Sequence, residues 1–178
     1  VNLLHSLLSA LTNEAASTLA TGLAPRRLGN AHPSIAPYAL FRAADRDLVI
    51  AVGNDRQFAA LASSLGDPAL ATDPRYATNA DRVAHRAALT LVIEIALAAA
   101  PAEAWIERFR DARIPAGLVN DVAEAIAFAE SLGLDPVVEL GASRTIAIPI
   151  GLSETPARYR TPPPALDAAA GADWLPWK

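Results

Sequence analysis

An α+β fold, helices packed with short antiparallel strands, is predicted by three features of this 178-residue chain. Two pairs of short runs rich in β-branched, aromatic and other apolar residues, 38–43 with 48–52 and 137–140 with 145–150, have the length of strands and turn residues between them. Between and around them lie segments whose apolar residues recur at helical spacing behind recognisable caps. Gly, Pro, Asn and Asp fall at the boundaries of these runs, where turns belong.

Residues 1–21 read as one helix, with Leu4, Leu7, Leu8 and Leu11 on a common face and Gly22 as its C-terminal stop. It opens on apolar residues without an evident cap, and methionine is absent from position 1 and from the whole chain. The expectation is therefore a helix that enters from a longer chain. Residues 28–37 follow as a loop: Pro33 and Pro37 remove backbone donors and hold their predecessors extended, while Gly29 and Asn30 tolerate positive φ. Residues 38–43 and 48–52 form a hairpin around Asp45-Arg46-Asp47. Asn54 then caps a helix with Gln57 as reciprocal partner, and Phe58, Leu61, Ala62 and Leu65 make its apolar stripe. Asp67-Pro68 and Asp73-Pro74 mark an extended connection to a long helix, opened by Thr78 or Asn79 and running to Leu97. Pro101 suits the first turn of the next helix, in which Trp105 and Phe109 lie one turn apart. Asp121 with Glu124 caps a further helix that Gly133 ends; a second hairpin follows, with Pro149 indicating an edge, and Thr161-Pro162-Pro163-Pro164 begins an extended tail.

Composition narrows the classes of function. The formal net charge is −4 with no basic run, so nucleic acid is not an expected partner. Cysteine is absent, which excludes disulfides, thiolate metal sites and a cysteine nucleophile. The apolar opening has no basic residues ahead of it, and residues 87–100 are interrupted by Glu94 and short for a bilayer. A cytoplasmic protein without a membrane partner is expected.

No phosphate loop, dinucleotide fingerprint or cluster with metal-ligand spacing is present. His5 and His85 lie in helical pattern without a second ligand, and Asp45/Asp47 and Asp121/Glu124 are explained by a turn and a cap. Arg26-Arg27 can meet an anion, but two adjacent arginines are common on any surface. The loop of residues 28–37 is either a functional surface or an ordinary rigid connector.

The wording of that loop resembles the family III CoA-transferases, the CaiB–BaiF group. The resemblance rests on Arg27-Leu28-Gly29-Asn30-Ala31-His32-Pro33-Ser34-Ile35-Ala36-Pro37-Tyr38 and Ile50-Ala51-Val52-Gly53-Asn54-Asp55-Arg56-Gln57-Phe58. It continues in order through Leu70-Ala71-Thr72-Asp73-Pro74-Arg75-Tyr76, Asn79-Ala80-Asp81-Arg82-Val83 and Ile114-Pro115-Ala116-Gly117-Leu118-Val119-Asn120-Asp121. It spans residues 1–166 and implies transfer of CoA from an acyl-CoA donor to a carboxylic acid. In the family an aspartate attacks the thioester to give a mixed anhydride, and CoA returns through an enzyme-bound thioester. None of the aspartates here matches that nucleophile, so no catalytic residue is carried over. It is expected upstream of Val1, with the Rossmann-like large domain that holds CoA.

The resemblance further implies the division of the chain. Residues 1–22 are expected to be one long helix of the large domain, 23–37 a linker loop, 38–152 the small domain and 153–178 an extended tail. The loop matches a flap over the active site, so Gly29, Asn30, Ala31, His32 and Ser34 are the implied substrate-binding residues. It is less glycine-rich than the formyl-CoA-transferring branch and closer to the dicarboxylate branch; its prolines imply less movement. His32 and Ser34 either donate to a substrate carboxylate and the anhydride oxygens, or His32 only braces the loop. Residues 165–178 depart from the family's C-terminal helix. The implied partners are an acyl-CoA and a carboxylic acid, with a coenzyme A thioester as substrate, no permanently bound cofactor, and a homodimer for the intact enzyme. An α-methylacyl-CoA racemase-like enzyme and a non-catalytic remnant or binding module are the alternatives, and this chain alone is expected to be inactive.

Overall fold

A computed structural model describes residues 1–166 and 168, which divide into two compact units that part between Val119 and Asn120. In the first unit a three-stranded antiparallel sheet has the order β1 (Tyr38–Arg42), β2 (Asp47–Ala51), β3 (Ala116–Leu118). Leu40 faces Val49 across the hairpin, and Val49 faces Gly117 on its other side. Strand alternation sends Leu48 and Ile50 of β2 into the core and leaves their neighbours half-buried. The first hairpin thus lies where the sequence places it. The third strand is not foreseeable from Ala-Gly-Leu, a run of low strand propensity that pairs because β2 offers it a free edge.

Helices complete that core: α3 (Asp55–Ser64), α4 (Asn79–Ala84), α5 (Arg86–Leu97) and α6 (Ala102–Asp111). Phe58 and Leu61 of α3, Leu89, Ile93 and Leu97 of α5, and Trp105 and Phe109 of α6 join Phe41, Leu48 and Ile50 in one buried cluster. Each such side chain contributes about 1.5–3 kcal/mol on burial. Trp105 stacks on Phe109 at 5.8 Å between ring centroids, and its indole N–H donates to the Leu97 carbonyl at 2.9 Å.

Several expectations change in detail. Asn54 caps α3 by accepting from the Gln57 N–H at 2.9 Å, but the Gln57 side chain reaches back to the Gly53 N–H, one residue earlier than the reciprocal pattern. The connection expected to be extended holds a 3₁₀ turn at Pro68–Thr72, which buries Leu70. The single helix expected through Leu97 is two, because His85 leaves helical geometry at φ −106° and ψ 23°. Its ring Nδ1 competes there with its own N–H for the Asp81 carbonyl, both at 2.9 Å. Thr78 and Asp81 form a capping box for α4. Asp45, read as a turn residue, also accepts from the Ala102 N–H at 2.8 Å and so caps α6, where Pro101 has no side chain able to do so. That bond is the main cause holding the Asp45 carboxyl below its usual range.

The N-terminal segment corrects the reading of one long helix over residues 1–21. It forms α1 (Leu3–Ala10) and α2 (Asn13–Thr21), broken at Thr12, whose φ of 38° lies in the left-handed region. Thr12 and Asn13 are both weak helix formers, so the break falls where continuing the helix is least favourable. The segment is also capped, because the Asn2 side chain accepts from the Leu4 and His5 N–H groups. Leu3, Leu4, Leu7, Leu8 and Leu11 are all exposed.

The second unit contains α7 (Val122–Ser131) and a hairpin of β4 (Val137–Leu140) and β5 (Ser143–Ile146). The Asp121–Glu124 capping box is present in both directions, at 2.8 and 2.9 Å. Strand β5 starts earlier than expected and ends before Pro149, since Gly141 at φ 61° permits a two-residue turn. None of this unit's described residues is fully buried. Residues 153–165 form neither helix nor strand; the rest of the departure expected over 165–178 lies largely outside the described residues.

Candidate functional site

The loop of residues 28–37 lies wholly within the first unit and is held by side chains from far along the chain. Its entry is a tight turn in which Gly29 takes φ 62° and the Ala31 N–H donates to the Leu28 carbonyl at 3.2 Å. A Cβ at Gly29 meets nothing within 4 Å, so backbone conformation and not crowding demands glycine there. Asn30 uses its side-chain oxygen to accept from the Leu40 N–H at 2.8 Å, tying the loop to β1. Ala31 is half-buried and lines a small cavity of about 30 Å³ with Pro37, Tyr38, Phe41 and Leu89.

His32 carries the imidazole of the loop. Its backbone N–H donates to the Tyr38 carbonyl at 2.9 Å, and its ring stacks on Tyr38 with centroids 5.2 Å apart. Its Nδ1 accepts from the Ser34 N–H at 3.2 Å, with the Ser34 hydroxyl 3.5 Å away. A nitrogen that accepts carries no proton, so in the neutral ring the hydrogen sits on Nε2. Among the described residues Nε2 has no hydrogen-bond partner, which leaves it as an N–H donor. Bracing and donating are thus compatible: one ring nitrogen holds the loop while the other stays open. Ser34 is exposed, and its hydroxyl is the second available donor.

Three residues whose role sequence reasoning missed grip the following backbone. Arg86 donates to the Pro33 carbonyl at 3.2 Å. The Asn79 side chain donates to the Ser34 carbonyl at 2.8 Å and accepts from the Ala36 N–H at 3.2 Å. The Arg82 Nε donates to the Ala36 carbonyl at 2.8 Å. Arg82 is fully buried, and its other nitrogens reach the Tyr76 carbonyl at 3.0 Å and the Asp55 carboxylate at 2.7 Å. The available signal was the recurrence of polar residues at 79, 82 and 86, three and four apart on a helical segment. Arg26 and Arg27 are exposed, His5 lies exposed on α1, and the His85 ring meets Tyr76 edge-on at 6.5 Å. Among the described residues no group of His, Cys, Asp and Glu is placed to hold a metal ion, and no single helix is long and apolar enough to cross a membrane.

The mixture of helices and short antiparallel strands matches the fold of CaiB/BaiF proteins. A crystal structure of a CaiB/BaiF family protein from Brucella suis superposes with a TM-score of 0.78 at 35% identity, covering 90% of this chain and 43% of that one. The model of CoA-transferase family III matches residues 1–170, and the chain belongs to that family. An acetyl-CoA:oxalate CoA-transferase of Acetobacter aceti is 40% identical over 134 residues, 75% of this chain and 34% of the relative. A succinate–glutarate CoA-transferase of Agrobacterium fabrum is 37% identical over 163 residues, 89% of this chain and 41% of the relative. The chain therefore spans between a third and a half of the length of these proteins.

Proposed function

We propose that these residues are the C-terminal part of an enzyme that moves CoA from an acyl-CoA donor to a carboxylic acid, through an aspartyl anhydride and an enzyme-bound thioester. The supporting observation is the family match over residues 1–170 together with relatives named for CoA transfer to oxalate and between succinate and glutarate. In this reading the nucleophilic aspartate is supplied from outside these residues. Residues 28–37 face the substrate in this reading, with Gly29, Asn30, Ala31, His32 and Ser34 at the contact. The His32 Nε2–H and the Ser34 hydroxyl are suited to carboxylate or anhydride oxygens that gain charge as the thioester is attacked. Residues 1–22 belong to the large domain, 23–37 link it, 38–152 form the small domain and 153–178 the tail. The whole enzyme is a cytoplasmic homodimer with a coenzyme A thioester as substrate and no resident cofactor.

The test pairs two preparations. One is the 178-residue chain alone; the other joins it to the N-terminal part of the Acetobacter aceti relative. Each is incubated with succinyl-CoA or acetyl-CoA and a panel of carboxylic acids, and acyl-enzyme is trapped with hydroxylamine. The chimera is expected to exchange CoA with an adduct on its N-terminal aspartate, and the chain alone to do neither. In the chimera, His32→Ala should raise the barrier by roughly 2–4 kcal/mol, the effect of losing one donor to a developing oxyanion. An adduct on any aspartate of the chain alone, or a folded chimera that racemises 2-methylacyl-CoA without exchange, would overturn the reading.

A further inference from the structure

We propose that Asn79 is a positioning residue for His32, acting through Ser34, with Arg82 and Arg86 completing the clamp. The proposal rests on the reading that residues 28–37 face the substrate. Asn79 is the first residue of α4, where a side chain has no duty to its own helix because Thr78 and Asp81 already cap it. Its amide is turned instead onto the loop. It donates to the Ser34 carbonyl and accepts from the Ala36 N–H, contacts at 2.8 and 3.2 Å. One acceptor and one donor two residues apart is what a neighbouring strand offers, so a single side chain stands in for a strand partner.

Ser34 is thereby fixed at both ends. Its carbonyl is held by Asn79, and its N–H donates to Nδ1 of His32 at 3.2 Å. That bond sets the tautomer of the imidazole and, with the Tyr38 stack, its ring plane. On either side the carbonyls of Pro33 and Ala36 are taken by Arg86 and Arg82. The path from α4 to the open Nε2–H runs from the Asn79 amide through the two peptide groups that meet at Ser34 to His32 Nδ1. Catalytic donors must be held to a fraction of an ångström, and supporting bonds of this kind do so.

Asn79→Asp separates positioning from mere folding. The aspartate keeps the shape and the acceptor for the Ala36 N–H. It loses the N–H donor and sets a carboxylate oxygen against the Ser34 carbonyl. At the N-terminus of α4 its negative charge favours the helix, so a purely structural role predicts an unchanged or raised melting temperature. The expected result in the 178-residue chain is a melting temperature held within a few degrees and roughly tenfold faster exchange of the Ser34 amide, the scale of one lost hydrogen bond. The His32 Nδ1 nitrogen resonance should also move from its acceptor position toward a tautomer average. Unchanged Ser34 exchange and an unchanged His32 resonance would overturn the proposal, as would a uniform loss of protection across the first unit.

In the chimera, Asn79→Asp should lower kcat roughly tenfold with KM for the acyl-CoA held, and should have no further effect once His32 is alanine. Additive losses in that double variant would also overturn positioning through His32. If the resonance moves while both variants keep full turnover, the clamp stands, and it is the placement of the loop at the active site that fails.

Discussion

Replacing Arg82 by methionine tests whether its hydrogen bonds or its charge hold the first unit together. The guanidinium is fully buried, lies 4.5 Å over the Phe58 ring, and donates to the Ala36 and Tyr76 carbonyls at 2.8 and 3.0 Å. Its carboxylate partner, Asp55, is 64% exposed at the side chain, so water solvates that end of the pair. The charge pair is therefore the weaker part, and the carbonyls decide. Methionine keeps an apolar stem against Phe58 but leaves two carbonyls without donors, at about 1–3 kcal/mol each. The sum, about 2–6 kcal/mol, brackets the usual cost of about 3–5 kcal/mol for breaking a buried ionic network. Asp55→Asn keeps an acceptor and loses only a half-solvated charge, so about 1 kcal/mol is expected. With a urea slope of about 2 kcal/mol per M, Arg82→Met should lower the unfolding midpoint by about 1–3 M and Asp55→Asn by about 0.5 M. Equal shifts, or a larger one for Asp55→Asn, would refute the ordering and show that charge, not carbonyl satisfaction, dominates.

Two further outcomes follow from local geometry. Asp121→Ala removes the oxygen that accepts from the Glu124 N–H at 2.8 Å, and should weaken α7 by about 1 kcal/mol, read as faster amide exchange over Val122–Ser131. The Asp73 carboxyl is held at about 2, against an ordinary 3.8, first by the Arg75 side chain and then by the Arg75 N–H. A depressed folded value means that the contribution is present above 3.8 and lost as pH falls through about 2. Arg75→Met should move the Asp73 titration part of the way back and flatten the acid side of the stability curve in that window. A carbon-13 carboxyl titration that does not move would count against the pairing.

What the sequence revealed and what it hid divide by distance along the chain. The β1–β2 hairpin and the caps at Asn54, Asp121 and Glu124 are legible because each depends on residues only a few positions apart. Strand β3 is hidden because Ala-Gly-Leu has no strand preference of its own and pairs only once β2 is in place. The cap of α6 by Asp45 crosses 57 residues, and the grip of Arg82 on Ala36 crosses 46. Periodicity can set Asn79, Arg82 and Arg86 on one helical face, but it does not name the partner of such a bond. The loop was legible as a candidate site from its Gly, Asn, His and Pro content. Its tautomer was not, since that rests on whether the Ser34 N–H turns toward His32 or toward solvent.

The pinned loop bears on how a site built around it must operate. A cover that opens as a unit has to release residues 33–36 from Asn79, Arg82 and Arg86, which together make four hydrogen bonds to that backbone. At a net 0.5–1.5 kcal/mol each, lifting the segment costs about 2–6 kcal/mol, which leaves an open population between about 3 × 10⁻² and 4 × 10⁻⁵. Re-burying Ala36, which is 1% exposed, adds to that bias. For a transferase of the proposed kind, the Nε2–H of His32 and the Ser34 hydroxyl are then fixed before substrate arrives. Donors already aimed at the place where charge develops need little reorganisation during the reaction, and that preorganisation is where electrostatic catalysis gains most. Movement is left to the turn at 28–30, where the Gly29 conformation carries no packing and Asn30 is tied by one bond to Leu40. In that reading the loop is a preorganised wall whose freedom is confined to its entry turn.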